Sequence, residues 1–567
     1  MKKIRTLTTI QILYMLIFCA ALLLRLVNLN NPPLSENEAH HVLCAVDIQR
    51  AGCEGESNLY GFITNVLFHL FGQSNFASRL LPAIAGSLLA LLPLMFENHF
   101  DKQTGLVLAL CMALDPILIQ VSRSADATMI AAAFILYMIV FIVKQDHKTV
   151  FVLFLFGMLS GPAFWIGLFL LVCSYGVTRY YAGRTKEDLA DNILLKCPFT
   201  KETKNYYPDM VIIMLWITIS THFFTYLTGL LSPVQTIAAL ITGTWQFAAG
   251  IMIPAGIKLS GLVLYTAFGI CLCISALIKG RTSLSGKQIF LIVWLILGLI
   301  ILLLPGIPFS QSVWMLVPLW IFAAGEIVQL SGRVFTERKR LLIPSLLGIT
   351  ILIYMSLQIV RLRYLLSVGM NFQDNIYLLF IPLLLVVLFL FLYAYGWSGK
   401  LARQVVTVLF LICGFFGLWR NANRAANLTD TGEYELLQQG VFIHNADVLI
   451  NELEQYRITQ GAFKEDIRIA LAPSNRMESL EWLLREYNVA AIKELPQINN
   501  HDYDVIIVEG ENPLEYTESY KQSMALVSNV KIFKGDYSGF LPKEILEWII
   551  YRRGTLELHN FTLWFKF

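Results

Sequence analysis

About thirteen apolar runs, most of them roughly the 17–25 residues that cross a hydrocarbon layer as a helix, constrain this chain more than any other feature. They fall near 8–29, 76–96, 104–121, 127–143, 149–161, 163–178, 210–231, 258–278, 288–304, 312–330, 341–360, 375–396 and 403–419. With 56% hydrophobic residues, 15% charged residues and a mean hydropathy of +0.61, the 567-residue chain has more apolar surface than a soluble core can hide. A polytopic α-helical membrane protein is therefore the expected fold class. The net charge of +3 carries no sign of a nucleic-acid surface.

Charge placement sets the expected orientation. Met1-Lys2-Lys3-Ile4-Arg5 precedes the first run and no small-residue cleavage site follows it, so a retained first helix with a cytoplasmic N-terminus is expected. Counting from there, the basic segments 144–148, 179–204, 279–287, 333–340 and 400–403 all fall inside, as the positive-inside rule requires. Segments 34–72, 122–126, 232–257, 305–311 and everything after Arg420 then face outward. Arg361 and Arg363 also fall outside, against the rule. Ser160-Gly161-Pro162 marks either a tight turn or a kink.

Just past the first run, Leu34-Ser35-Glu36-Asn37-Glu38-Ala39-His40-His41 gathers carboxylates, an amide and two imidazoles at the membrane surface. Polar groups are costly near lipid, so such a cluster needs a reason. Ser35 and Glu38 have capping-box spacing, which opens a helix there. On that helix Glu36, His40 and Asp47 share one face, with Val42, Leu43 and Val46 on another, the pattern of a helix lying on the outer leaflet. Segment 59–72 is a second surface helix, too brief to cross. Arg79 opens the second span, either as a snorkelling anchor or as an anion ligand. In the tight outer turn, Asp126 either caps the next helix or joins Glu36 and Glu38 at one external site, with Arg79 and Arg123 supplying positive charge. Cys44 and Cys53 share the first outer loop and either pair or pack separately. Thr242 to Gly250 is polar and aromatic, suited to a re-entrant or interfacial segment.

Composition changes after Arg420. Helices near 446–458 and 477–487 alternate with strands near 467–471, 490–494, 504–508, 527–533 and 556–567, while 544–553 fits either state. Two domains follow: a membrane part, 1–425, with its first outer loop at 30–74, and a small extracytoplasmic α/β domain, 430–567. No Gly-rich phosphate loop and no metal-binding motif is present; an acidic outer face leaves a divalent cation open.

These residues resemble the GT-C glycosyltransferases of the protein mannosyltransferase and aminoarabinose transferase type. Asn37-Glu38-Ala39-His40 is similar to the family's acidic pair in the first outer loop. Phe76-Ala77-Ser78-Arg79-Leu80-Leu81-Pro82-Ala83-Ile84-Ala85-Gly86 looks like its Arg-containing entry to the next span. Asp115-Pro116, Ser122-Arg123 and Asp126 look like its second acidic turn. In the tail, Trp482-Leu483-Leu484-Arg485-Glu486-Tyr487, Trp548-Ile549-Ile550-Tyr551-Arg552 and Leu563-Trp564-Phe565-Lys566 are similar to the extracytoplasmic domain of prokaryotic relatives. The resemblance implies an inverting transferase of the cell (plasma) membrane, moving sugar from a polyprenyl-phosphate donor to a glycan, lipid or protein hydroxyl. It implies Glu38 or Glu36 as base, Asp126 beside it, Arg79 and Arg123 on the donor's phosphate, and Asn37 and His40 on substrate. The family's pair is normally Asp-Glu, with the Asp assigned as catalytic; Asn37 stands in its place, and an amide takes no proton near neutral pH. A non-catalytic relative that binds lipid-linked glycans or a partner glycosylation enzyme is therefore the alternative. A transporter is disfavoured, because the spans hold few charges apart from Asp115 and Glu326 and show no inverted repeat.

Overall fold

The computed structural model describes residues 8–50, 52–53, 56–96, 100–185, 210–242, 255–280, 285–335, 338–368, 375, 377–396, 398–427, 441–444, 446–472, 478–492, 503–509, 520–531 and 557–566. Among these residues nine helices are long and apolar enough to cross a membrane, or ten if one bent pair counts as a span. The first is α1 (Thr9–Leu26), opened by a Thr8/Gln11 capping box. Two short helices follow, α2 (Glu36–Val46) and α3 (Asn58–Phe71), before α4 (Asn75–Leu88) begins the second span.

Fewer helices reach span length than the hydropathy pattern suggests. The runs expected at 127–143, 149–161 and 210–231 form the helices α7 (Thr128–Val143), His147–Gly157 and Met210–Ser220, of 16, 11 and 11 residues. The run at 104–121 is divided into α5 (Lys102–Leu114) and α6 (Pro116–Ser122), bent by 58°. The physical cause of the bend is Asp115-Pro116. Proline has no N–H to continue the ladder, and Asp115 accepts the Leu118 N–H at 2.7 Å and the Trp320 indole N–H at 2.8 Å. Asp115 is thus a buried cap. Glu326 is likewise neutralised, pairing with Lys279 and accepting from the Ser275 hydroxyl at 2.8 Å.

Buried Arg25 donates to the carbonyls of Ala21, Ala113 and Met112, tying α1 to the end of α5. Gly86 lets α4 approach α6, because a Cβ there would collide with Ser122 Cβ. Helix α8 (Val313–Phe335) buries Trp314 and Trp320 in the same core, and α9 (Gly399–Ala426) closes the helical body.

After α9 the chain forms a six-stranded sheet in the order β1-β5-β6-β4-β2-β3. The strands are β1 (Val441–His444), β2 (Arg468–Ala472), β3 (Asn488–Ala491), β4 (Val505–Glu509), β5 (Tyr520–Lys531) and β6 (Glu557–Lys566). β2 pairs in parallel with β3 and β4, and the other pairings are antiparallel. Helix α10 (Ala446–Gln460) packs Leu449 and Leu453 onto one sheet face, and α11 (Glu478–Leu483) lies between β2 and β3. β1 has no counterpart in the sequence reading; four residues give too short an alternation to register. The expectations for 243–250 and 544–553 lie outside the described residues.

Gly86→Val should lower the melting temperature of the detergent-solubilised protein, because overpacking a tight contact costs about 1–3 kcal/mol. An unchanged melting temperature would mean that the α4–α6 contact is not close.

Candidate functional site

Five hydrogen bonds converge on one carboxylate. Ser35 and Glu38 form the capping box that opens α2, with the Ser35 N–H and hydroxyl donating to Glu38 Oε2 at 3.0 and 3.1 Å. Arg79 lies across both oxygens, Nε to Oε1 at 2.9 Å and Nη2 to Oε2 at 3.0 Å, and the Ala125 N–H reaches Oε1 at 2.9 Å. Glu38, Arg79 and Ala125 are all buried. Burial works against charge on Glu38, yet Arg79 and the N–H donors of Ala125 and Ser35 outweigh it and hold the carboxyl below the usual range. The first polar helix, the second span and the tight turn at 123–126 therefore meet at this point.

That geometry corrects several expectations. Arg79 commits all its donors to protein oxygens: besides Glu38 it holds the carbonyls of Leu29, Pro32 and Pro33. Arg123 gathers the end of α1 through the carbonyls of Leu24, Arg25, Val27 and Asn28. Both arginines staple separated stretches of the chain through these bonds. Glu38 is saturated with donors and held ionised, which makes it a poor proton acceptor. Glu36 points away from Glu38 and accepts the N–H groups of Glu478 and Ser479 at 2.9 and 3.2 Å, together with the Ser479 hydroxyl. Burial raises the Glu36 pKa, and the Ser479 hydrogen bonds offset only part of that rise. His40 Nδ1 meets the Glu478 carboxylate at 3.0 Å, while Nε2 lies 3.7 Å from Cys44 Sγ. Helix α2 is thus enclosed by protein and does not lie bare on a leaflet. Its acidic face is covered by the tail.

Four groups remain. Asp126 is half-buried and, among the described residues, accepts only from Thr128, through its N–H at 3.1 Å and hydroxyl at 2.6 Å. Gln311 donates to the same hydroxyl at 3.2 Å and is held by the Trp314 indole at 2.8 Å. Asn37 Oδ1 is buried with no donor among the described residues, a state that costs a carbonyl oxygen about 1–3 kcal/mol. His41 Nδ1 meets Glu56 Oε2 at 2.8 Å, which leaves Nε2 as its second ring nitrogen. Burial disfavours the imidazolium, but Glu56, with Asp126 and Glu478 behind it, raises the His41 pKa to about 9. In turn burial raises Glu56, and His41 more than reverses this, holding its carboxyl below the usual range.

Sequence reasoning did not single out Glu56. The signal available was Cys44 and Cys53, which are disulfide-bonded here and fix the loop that carries Glu56 against α2. Among the described residues no group of three or more His, Cys, Asp or Glu is arranged to hold a metal ion. An apolar cavity of about 140 Å³ beside Leu92, Phe96, Phe290 and Trp294 is not part of this constellation. It lies beyond the far end of α4 from Arg79, about 20 Å away at 1.5 Å per residue.

A helical membrane body carries a buried Arg–Glu joint at one end, and a small sheet domain is seated on the helix that carries the joint. The chain shares its fold with a solved membrane protein, ArnT. The family model for dolichyl-phosphate-mannose-protein mannosyltransferase matches residues 57–166, which include α3, α4 and the Arg123–Asp126 turn and begin after Asn37. The crystal structure of ArnT from Cupriavidus metallidurans bound to undecaprenyl phosphate is similar at a TM-score of 0.52 and 12% identity, covering 88% of this chain and 92% of that one. The apo structure of the same protein has the same score and identity, covering 87% and 92%. No curated protein matches.

The His41 pKa gives a testable sign. Because it is raised from 6.5 to about 9, the stability it contributes is fully present below pH 6.5 and is lost as pH rises through about 9. Thermal unfolding of the wild type should show that decline, and His41→Gln should flatten it; equal slopes would remove His41 as the cause. Arg79→Ala should destabilise by about 3–5 kcal/mol, the usual result of leaving one member of a buried ion pair alone, and denaturant or heat unfolding measures it.

Proposed function

We propose that the chain is an inverting glycosyltransferase that moves a sugar from a polyprenyl-phosphate donor to an acceptor hydroxyl, at the membrane face that carries the sheet domain. The observation that carries this reading is the junction of Glu38 with Arg79 and the Ala125 N–H, which brings Asp126 beside the start of α2. The ArnT structure bound to undecaprenyl phosphate supports the donor class. The distribution of basic segments supports a plasma-membrane protein with a cytoplasmic N-terminus and an extracytoplasmic tail.

Asp126 is the proposed base. Its oxygens have about four lone-pair sites, two of them used by Thr128, so it retains capacity for an acceptor hydroxyl. As the acceptor oxygen bonds the anomeric carbon, its proton passes to Asp126 and the bond from carbon to phosphate oxygen breaks. The electron pair leaves with the polyprenyl phosphate. The imidazolium of His41, braced by Glu56, is the proposed cation for that departing charge, since Arg79 and Arg123 are engaged elsewhere. Asn37 Oδ1, buried without a donor among the described residues, suits a second hydroxyl of the acceptor as an orienting partner.

With purified protein and a radiolabelled polyprenyl-phosphate sugar, Asp126→Asn should lower kcat by about 10²–10⁴-fold, the range for a general base. His41→Gln should raise the KM for donor, and Asn37→Asp should keep or increase the rate. An Asp126→Asn enzyme working at the wild-type rate would contradict the assignment. Asn37 also favours a second reading, a relative that binds lipid-linked glycans without transfer; wild-type protein that binds donor and never transfers supports it.

A further inference from the structure

The helix bearing Asn37 and His41 is only 11 residues long, and isolated helices shorter than about 12–15 residues are marginal in water. Its order must come from what it packs against. On one side lie α3 and the Arg79 joint. On the other lies α11 of the tail, and the contacts there are unusually polar and closed.

Glu36, the first residue of α2, is 3% exposed, and Ser479 is 2% exposed. Three donors from the start of α11, the N–H groups of Glu478 and Ser479 and the Ser479 hydroxyl, fall on that one carboxylate. Arg50, four residues beyond the end of α2, forks onto Glu481 at 2.6 and 2.8 Å. Between them His40 meets Glu478 at 3.0 Å. Trp482 completes the clamp, donating to Asn75 Oδ1 at 2.7 Å and stacking on Phe68 at 5.6 Å. The ties are spread along the whole of α2 and its following loop, so they restrain rotation as well as position.

We infer that the tail domain is a positioning part of the membrane site: Ser479 and its neighbours grip Glu36 and thereby set how α2 presents Asn37 and His41. Neither Glu36 nor Ser479 touches substrate in this scheme; both act through α2. The effect on turnover rests on the transferase reading, while the effect on α2 order does not.

The test uses the full-length protein in lipid nanodiscs, with Ser479→Ala, Ser479→Thr and Arg50→Lys variants. Hydrogen exchange of amides 39–46 should speed up in Ser479→Ala by about tenfold, the equivalent of one hydrogen bond to a charged group. Amides 102–114 should not change, which separates loosening of α2 from misfolding. In the same preparation kcat should fall and donor KM should rise, because α2 carries His41, and Ser479→Thr, which keeps the hydroxyl, should restore both readouts. Arg50→Lys, which loses the fork, should give a smaller rise in the same amides. Unchanged exchange at 39–46 in both Ser479→Ala and Arg50→Lys would overturn the inference, as would faster exchange with wild-type kcat. If the wild type transfers no sugar, the transferase reading fails and the exchange measurement alone decides the clamp.

Discussion

The buried pair of Glu38 and Arg79 is the interaction on which the rest of this end of the molecule depends. A carboxylate and a guanidinium removed from water each carry a penalty of several kcal/mol, recovered only when geometry and supporting hydrogen bonds are good. Here both are. The carboxylate takes five donors, and the guanidinium holds three backbone carbonyls as well as its partner. One ion pair therefore fixes three separated stretches of chain: the entry to α2, the start of the second span and the turn that carries Asp126.

This division of labour separates architecture from chemistry. The charges most visible in the sequence, Glu36, Glu38, Arg79 and Arg123, are bound to protein partners. The groups with capacity left over are quieter: Asp126, Asn37 and the His41–Glu56 pair. A buried carboxylate saturated by donors makes a firm joint and a weak base, whereas a half-buried one with free lone pairs is suited to proton transfer. The disulfide between Cys44 and Cys53 belongs to the architectural side, since it keeps Glu56 within reach of His41.

Much of the fold was legible in local patterns. Ser35 and Glu38 read as a capping box and form one, whereas the bend at Asp115-Pro116 falls inside the run at 104–121 that hydropathy reads as a single span. The strands at 468–472 and 505–509 fall where alternation placed them. What could not be read was partnership over long separations. Glu36 and Ser479 are 443 positions apart and Arg50 and Glu481 are 431 apart, and no periodicity connects them. The direction in which Glu36 points is decided by a tail segment that a hydropathy profile treats as a separate domain. The same holds for Arg79: an arginine at a span mouth looks like a free cation until its carbonyl partners at 29, 32 and 33 are seen.

The central claim is that the arginines build the site and His41 with Asp126 works in it. Its most direct measurement is an experimental structure of the wild-type protein with a polyprenyl phosphate bound. The account predicts phosphate oxygens within hydrogen-bond reach of His41 Nε2, Asp126 facing the adjoining space, and Arg79 still across Glu38. A phosphate seated on Arg79 or Arg123, with the Glu38 pair opened to receive it, would contradict the account.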